Sequence, residues 1–190
     1  MIPEGLAGVQ PLRLASRSPQ RRAILQMLGF DFEVVQPAYG EPDVPGGPDE
    51  IAVTHACEKA RSVVGERVLG VDTVVHVAGQ TLGKPADEDE ARAYLELLAG
   101  RTHAVHSGLC LRVAGVEHVR TAVTDVTFAP LDSSDVDWYL ASGEWRDRAG
   151  GYAVQGRGAA LVRAIAGDYQ NVVGLPVPAL FDAMAQAAIR

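Results

Sequence analysis

Residues 67–77 have the sequence RVLGVDTVVHV, an apolar and β-branched run that predicts a β-strand buried on both faces. Shorter elements precede this strand. We predict strands at Leu12–Ala15 and Phe32–Val35, and a helix over residues 19–28 that ends at Gly29. The segment PAYGEPDVPGGPDE, residues 37–50, is dense in Pro and Gly and is therefore predicted to be a long loop.

Strands and helices continue to interleave along the rest of the chain. We predict a helix capped by Asp49 and running to about Val64, a short strand at Thr81-Leu82, a helix from Asp87 to about Ala99, strands over 102–114 and 116–129, a helix from Ser133 or Ser134 to Ala141, a strand over 159–166 and a helix over 177–188. The interleaving together with one long hairpin predicts an α/β fold with a mixed central sheet flanked by helices.

Composition limits the class of protein. The chain has 190 residues, of which 47% are hydrophobic, so it can fill one core, and we expect a single domain over residues 1–190. Its net charge of −7 argues against a nucleic-acid coat, although a few local cations could hold a small anion. Cys57 and Cys110 fit no zinc motif and are expected to be buried free thiols in a reducing compartment. We predict no signal peptide and no membrane span, and a cytoplasmic location.

The segment SRSPQRR, residues 16–22, is a candidate anion site. Ser18 is a good N-cap and Pro19 a good first helical residue, so a helix start is well specified. Arg21 and Arg22 then fall in the first turn, where the helix dipole disfavours cations unless an anion binds there. The alternative is an ordinary capped helix with solvated arginines.

The segment LGVDT, residues 69–73, places a carboxylate inside an apolar strand. Such a carboxylate is costly to bury unless it is paired, binds metal or faces a cleft. Alternation puts Gly70 and Asp72 on one face, and we expect the small Gly70 to leave open space beside the carboxylate. Asp72 is therefore a candidate metal ligand or general base, and the alternative is a structural aspartate bound by backbone donors.

Three further segments carry weaker signals. GKP, residues 83–85, presents a lysine from a restrained turn. GRTH, residues 100–103, contains His103, and the residue type alone does not justify a catalytic role for it. The glycines of GGYAVQGRGA, residues 150–159, indicate close backbone approach to a ligand, and Gln155 offers an amide able to bind a base edge. The chain has neither a P-loop motif nor a dinucleotide fingerprint.

Taken together and in order, LASRSPQRRAIL, Glu41, LGVDT, GKP, LAGRTH, GGYAVQGRGA and DYQNVVGLP resemble the Maf family of nucleoside triphosphate pyrophosphatases over residues 12–176. The resemblance implies an elongated fold like that of the inosine triphosphate pyrophosphatases, with two lobes and a cleft. It also implies hydrolysis between the α- and β-phosphates of a nucleoside triphosphate, with a divalent cation such as Mg²⁺ or Mn²⁺ and release of pyrophosphate.

The resemblance also suggests roles for individual residues. Asp72 matches the catalytic acid that activates water, and Glu41 matches a glutamate that helps to hold the metal. Phosphate-binding groups are implied at four positions, namely Ser16, Arg21, Lys59 and Lys84, and Lys84 is expected to be catalytic together with Asp72 and Glu41. These roles are coherent, because cations neutralise a triphosphate while a carboxylate orients the attacking water.

Substrate class in the family follows three positions. Thr73 and Gln155 match the branch that acts on dTTP and UTP, whereas the 7-methyl-GTP branch has Gln and Glu there. The third position is residue 20, where the dTTP/UTP branch carries Arg and the 7-methyl-GTP branch carries Trp, and Gln20 matches neither.

The resemblance also implies a homodimer, with no stable nucleic-acid complex and no membrane partner. Two alternatives remain open: a non-catalytic nucleotide- or nucleic-acid-binding regulator of septum formation and cell division, and a phosphatase that releases orthophosphate.

Overall fold

The structure, a computed structural model, describes residues 11–188. Most of the N-terminal stretch for which we predict no signal peptide lies outside this range. In chain order the elements are β1 (Leu12–Ala15), α1 (Pro19–Met27), β2 (Phe32–Val35), α2 (Pro48–Arg61), β3 (Arg67–Val77), β4 (Gln80–Leu82), α3 (Glu88–Leu98), β5 (Thr102–Val113), β6 (Val116–Phe128), α4 (Ser133–Leu140), β7 (Val162–Ala166), α5 (Tyr169–Val173) and α6 (Val177–Gln186). No helix in residues 11–188 has the length and apolar character needed to cross a membrane.

The seven strands form one sheet with the hydrogen-bonded order β2-β1-β3-β5-β6-β7, and β4 pairs with β3. β1 runs parallel to both β2 and β3, whereas β4 is antiparallel to β3 and β7 is antiparallel to β6. The predicted α/β fold with a mixed sheet is therefore confirmed. β3 has the predicted bounds, and it is buried on both faces along almost its whole length.

The described chain divides into two compact units. The first comprises the residues up to Asp72, Ser107–Ala122 and the residues from Gly174 onward, and the second comprises Thr73–His106 and Val123–Val173. The core of the second unit is a continuous apolar cluster built on the aromatic rings of Phe128, Tyr139 and Tyr152.

In the first unit, α2 lies very close to the sheet. A Cβ added to Gly70 of β3 would be 2.1 Å from the carbonyl oxygen of Ala56, and one added to Gly108 of β5 would be 2.4 Å from the backbone of Ala52. The backbone of α2 therefore occupies the space above both glycines. Our expectation that Gly70 leaves open space beside Asp72 was wrong, because the helix fills that space.

The predicted helix starts need correction at two places. α2 begins at Pro48 with Gly47 as its N-cap, because the carboxylate of Glu50 accepts a hydrogen bond from the Gly47 N–H at 2.9 Å. Asp49 is thus a first-turn acid and not the cap. The helix also ends at Arg61 and not near Val64.

The cap of α4 is Asp132, and neither Ser133 nor Ser134 fills that position. The Asp132 carboxylate accepts from the backbone N–H groups of Ser134 and Asp135 at 2.8 and 3.0 Å.

The strand predicted over 159–166 begins only at Val162, because Gly156–Ala160 forms a turn of 3₁₀ helix. The short helix α5 was not predicted.

We predict that Gly70→Ala lowers the free energy of unfolding by about 3 kcal/mol, since the new methyl group overlaps backbone atoms of α2 that cannot move alone. Urea unfolding monitored by circular dichroism measures the change. Gly83→Ala is the matched control, because a Cβ there meets no atom within 4 Å. Equal stability of the two variants would contradict the close contact between α2 and β3.

Candidate active site

A buried cluster of three charged side chains lies in the first unit. The Lys59 ammonium group is 2.6 Å from Oδ1 of Asp72 and 2.8 Å from Oε1 of Glu41. The Lys59 side chain is only 3% exposed and that of Asp72 8%, whereas Glu41 is 30% exposed. One ammonium group therefore holds two carboxylates together, and the more exposed carboxylate gives the cluster access to solvent.

The fold explains how these residues meet. β1 and β3 are parallel neighbours whose last paired residues are Ala15 and Gly70, so Ser16 at the carboxyl end of β1 and Asp72 in the middle of β3 both lie just beyond this pairing. Ligands in open α/β sheets commonly bind at this edge. Lys59 reaches Asp72 from α2, which the glycine in β3 allows to approach closely. Glu41 comes from the Pro- and Gly-rich loop and has a positive φ of 51°.

The start of α1 forms a hydrogen-bonded network beside this cluster. The Ser16 hydroxyl accepts from the backbone N–H of Ser18 and from Nη1 of Arg21, at 3.1 and 3.3 Å. The Ser18 hydroxyl accepts from the Arg21 N–H at 3.4 Å and donates to the amide oxygen of Gln20 at 3.0 Å. The predicted cap at Ser18 is thus confirmed, and Gln20 is part of the same turn.

Arg21 is directed inward from the helix start. Its Nε donates to the carbonyl oxygen of Gly174 at 2.8 Å. Burial lowers the pKa of the Arg21 guanidinium, and the nearby charges of Asp72 and Glu41 oppose that shift. Arg21 therefore belongs to the same electrostatic environment as the carboxylates, and the alternative of a freely solvated arginine does not apply to it.

The remaining sequence-predicted residues lie in the second unit. Thr73 follows Asp72 directly in β3, and Lys84 follows β4 in the GKP turn. Gln155 is exposed and is the residue that precedes the 3₁₀ turn Gly156–Ala160. The structure therefore brings Ser16, Gln20, Arg21, Glu41, Lys59 and Asp72 together in one unit and places Thr73, Lys84 and Gln155 in the other.

Sequence reasoning missed Glu144, which shapes the turn after Gln155. Its two carboxylate oxygens accept from the backbone N–H groups of Arg157 and Gly158 at 3.0 and 3.2 Å. Gly156 has a φ of 63° and leaves no room for a Cβ, which would lie 2.5 Å from Oε1 of Glu144. Gly156 thus makes room for the Glu144 carboxylate, and no local sequence pattern marks Glu144 as a partner of this turn.

His103 is a core residue of the second unit. Its Nε2 lies 2.8 Å from the hydroxyl of Tyr152, and its ring packs edge-on against Phe128. Burial lowers the pKa of His103 to about 4, so the ring is neutral near pH 7.

The carboxylates of Glu41 and Asp72 suit a hard divalent cation. Mg²⁺ and Mn²⁺ prefer oxygen ligands, and a site with one or two carboxylates leaves room for the oxygens of a bound phosphate. Both carboxylates contact the same ammonium group, so they already converge on one point. The donor set therefore fits such a cation.

We predict that Lys59→Met lowers the free energy of unfolding by about 3 kcal/mol, because the buried Asp72 then loses its charge partner. Adding Asp72→Asn restores much of this loss, since the uncompensated charge is removed. Urea unfolding of the single and double variants measures the coupling. Arg92→Met is the control, because it breaks an ion pair of equal length, 2.6 Å, near the surface, and should cost less than about 1 kcal/mol. Additive effects of the Lys59 and Asp72 substitutions would contradict the prediction.

A second prediction follows from the lowered pKa of His103. On acidification the unfolded chain protonates this histidine near pH 6.5, whereas the folded protein does so only near pH 4. The neutral form of His103 therefore makes its full contribution to the free energy of unfolding above pH 6.5. This contribution falls by up to about 3 kcal/mol as the pH decreases toward 4. Urea unfolding at several pH values should show a smaller loss of unfolding free energy on acidification in His103→Asn than in the wild type. If the free energy of unfolding of His103→Asn depends on pH as steeply as that of the wild type, the lowered pKa of His103 is refuted.

Comparison with known proteins identifies relatives over nearly the whole chain. The family model described as Maf-like protein matches residues 11–187. A protein of Thermus thermophilus named dTTP/UTP pyrophosphatase is 45% identical over 177 residues, which cover 92% of this chain and 94% of that protein. A protein of the same name from Thermococcus gammatolerans is 47% identical over 169 residues, 87% of this chain and 91% of the relative.

Among solved structures, a HAM1 protein from Coxiella burnetii aligns over 95% of this chain and 100% of its own, with a TM-score of 0.49 and 16% identity. The family assignment depends on the sequence matches alone. Because the family model spans residues 11–187 and several relatives exceed 40% identity over most of their length, the chain belongs to the Maf family.

Proposed function

We propose that this protein is a nucleoside triphosphate pyrophosphatase that hydrolyses the α–β phosphate bond of dTTP and UTP, so that each turnover consumes water and yields the nucleoside monophosphate and pyrophosphate. Relatives named dTTP/UTP pyrophosphatase support the substrate class. The observation that carries the proposal is the buried Lys59 ammonium group, which holds Asp72 and Glu41 beside the start of α1.

Substrate binding is assigned to the start of α1 and the carboxyl end of β1. The first-turn N–H groups of a helix attract anions, and the Ser16 hydroxyl and Arg21 guanidinium lie at this terminus. Arg21 is already oriented by Ser16 and by the Gly174 carbonyl, so little side-chain freedom is lost when a phosphate binds.

Asp72 accepts the proton of the attacking water, and Glu41 and Asp72 together would hold the divalent cation. When bound, Mg²⁺ or Mn²⁺ supplies positive charge that neutralises the phosphate oxygens. Lys59 keeps the two carboxylates oriented and compensates their charge in the free protein. The family resemblance also assigns Lys59 a phosphate-binding role.

Roles for the second unit rest on the family resemblance. Lys84 binds phosphate, and Thr73 and Gln155 select a pyrimidine base. The Gln155 amide presents one donor and one acceptor group, which matches the N3–H and carbonyl edge of thymine and uracil. Gln20, which stands where the dTTP/UTP branch has Arg, is held by the Ser18 hydroxyl at the same helix start.

The same proposal includes the setting in which the enzyme works. It acts as a homodimer in the cytoplasm, with each chain a single Maf-like domain over residues 1–190 and with no stable nucleic-acid partner. The free and buried cysteines Cys57 and Cys110 support a reducing compartment.

We predict that Asp72→Asn reduces kcat for dTTP by about 10²–10⁴, because the variant cannot accept a proton or balance the metal charge. Wild-type protein should release one pyrophosphate and one dTMP per turnover with Mg²⁺, measured by coupled pyrophosphate detection and chromatography of the nucleotide. Asp137→Asn, an identical change at an exposed residue paired with Arg92, should keep wild-type activity.

Each other outcome overturns part of the proposal. Tight dTTP binding without turnover by the wild type would indicate the non-catalytic regulator. Orthophosphate as the first product would indicate a phosphatase. Full activity in Asp72→Asn would remove this carboxylate from the mechanism.

We also predict that Gln155→Glu lowers kcat/KM for dTTP and UTP at least tenfold, since a carboxylate offers only acceptor groups to the pyrimidine edge. Hydrolysis of inorganic triphosphate, which lacks a base, should change much less. Gln80→Glu, an equal charge change at an exposed strand residue, is the control. Equal losses on both substrates would show that Gln155 supports its loop and does not contact the base.

A further inference from the structure

A second group of potential metal ligands lies in the first unit, on elements other than those that carry Asp72 and Glu41. Cys57 of α2, Cys110 of β5 and Glu117 of β6 each offer one donor atom, and these atoms all lie within 4.8 Å of one another. Among the described residues no other group of three or more His, Cys, Asp or Glu side chains converges in this way.

The two thiols are buried neighbours. Their sulfur atoms lie within 4.8 Å of each other, Cys57 is 6% exposed and Cys110 is fully buried. Their positions are fixed by the close packing of α2 on β5, where Gly108 leaves no room for a Cβ beneath Ala52. The sulfur atoms are therefore held near each other by rigid elements, which favours a metal site because little reorganisation is needed.

Glu117 supplies an oxygen ligand that is already oriented. Nε and Nη2 of Arg61 donate to its two carboxylate oxygens at 2.7 and 2.8 Å, and Arg61 also contacts Glu58 at 2.6 Å. Each carboxylate oxygen has two lone pairs, so one oxygen can accept from arginine and still bind a metal. Outer hydrogen bonds of this kind commonly orient metal-binding carboxylates. The Glu117 side chain is 24% exposed and provides a path of entry.

The spacing suits a tetrahedral thiophilic cation. Zn²⁺ binds thiolate sulfur at about 2.3 Å, so two sulfurs on one tetrahedral ion lie roughly 3.8 Å apart. The donor separations of at most 4.8 Å require only small side-chain movements to reach this arrangement. Charge also balances, because a divalent cation replaces the two thiol protons that it releases.

We propose that Cys57, Cys110 and Glu117 form a binding site for one thiophilic divalent cation of the Zn²⁺ class, with water as the fourth ligand. The site is separate from the Glu41 and Asp72 pair in chemistry, because thiolates select soft cations and hardly bind Mg²⁺. Bound metal links α2 to β5 and β6. The proposal does not depend on the function proposed above.

The test uses the full chain, fully reduced with a phosphine and freed of metal. Cd²⁺ is the probe, because its bond to thiolate gives an ultraviolet charge-transfer band that carboxylate sites do not produce. The band should saturate at one Cd²⁺ per chain, release two protons per metal and persist in a large excess of Mg²⁺. Zn²⁺ should abolish the band by competition and raise the Tm by several degrees.

Variants locate the ligands. Cys57→Ser and Cys110→Ser should each eliminate the one-equivalent band, and Glu117→Gln should weaken Cd²⁺ binding at least tenfold. Glu58→Gln is the matched control, because Glu58 contacts the same Arg61 without belonging to the three donors. The Cd²⁺ affinity of Glu58→Gln should stay within twofold of that of the wild type.

The wild-type titration alone can refute the site, even if a cysteine variant fails to fold. Absence of the band, release of fewer than two protons, or displacement of Cd²⁺ by Mg²⁺ would each overturn the proposal. Equal weakening in Glu58→Gln and Glu117→Gln would remove Glu117 from the ligand set. Formation of a Cys57–Cys110 disulfide in air, without metal binding to the reduced protein, would identify a redox pair in place of a metal site.

Discussion

The Lys59 ammonium group, buried between the carboxylates of Asp72 and Glu41, is the interaction on which the site depends. A buried charge is tolerated only when it is paired, and here one cation compensates two anions from different elements. The pairing requires α2 to lie almost in contact with β3, and Gly70 with the alanines of α2 permits this approach. The close packing of these small residues is therefore what brings the buried charges together.

This arrangement explains why the chain can attract a triphosphate despite its net charge of −7. Ser16, Arg21 and the start of α1 lie beside the carboxylates, so positive and negative groups are combined within a small volume. Acidic residues alone would repel the substrate, and basic residues alone would bind phosphate without holding a cation. The combination suits hydrolysis of a substrate that carries both phosphate and metal.

The sequence predicted the elements whose signals are local. β3 was predicted to the residue because an apolar, β-branched run is typical of a strand covered on both faces. Helix starts were less accurate, because Glu50 bonds back to Gly47 and makes a glycine act as the cap of α2. The start of β7 was placed too early, since Ala159 and Ala160 at the end of the 3₁₀ turn continue the apolar pattern of the strand.

The site was predictable in its residue types and not in its contacts. Asp72 stood out as a carboxylate in an apolar strand, but its pairing with Lys59 spans a helix and a sheet and leaves no local pattern. Glu144 gave no signal for a similar reason, because its partners are backbone N–H groups of residues 157 and 158. The roles of Lys84, Thr73 and Gln155 stay predictions that rest on the family resemblance.

A crystal structure with Mn²⁺ and a dUTP analogue that cannot be cleaved between its α- and β-phosphates tests the central claim most directly. Anomalous scattering locates the Mn²⁺ independently of the nucleotide. Our account predicts Mn²⁺ bound to Asp72 and Glu41, with the triphosphate against Ser16, Arg21 and the start of α1. Mn²⁺ bound away from both carboxylates, or a triphosphate that contacts neither Arg21 nor the start of α1, would contradict it.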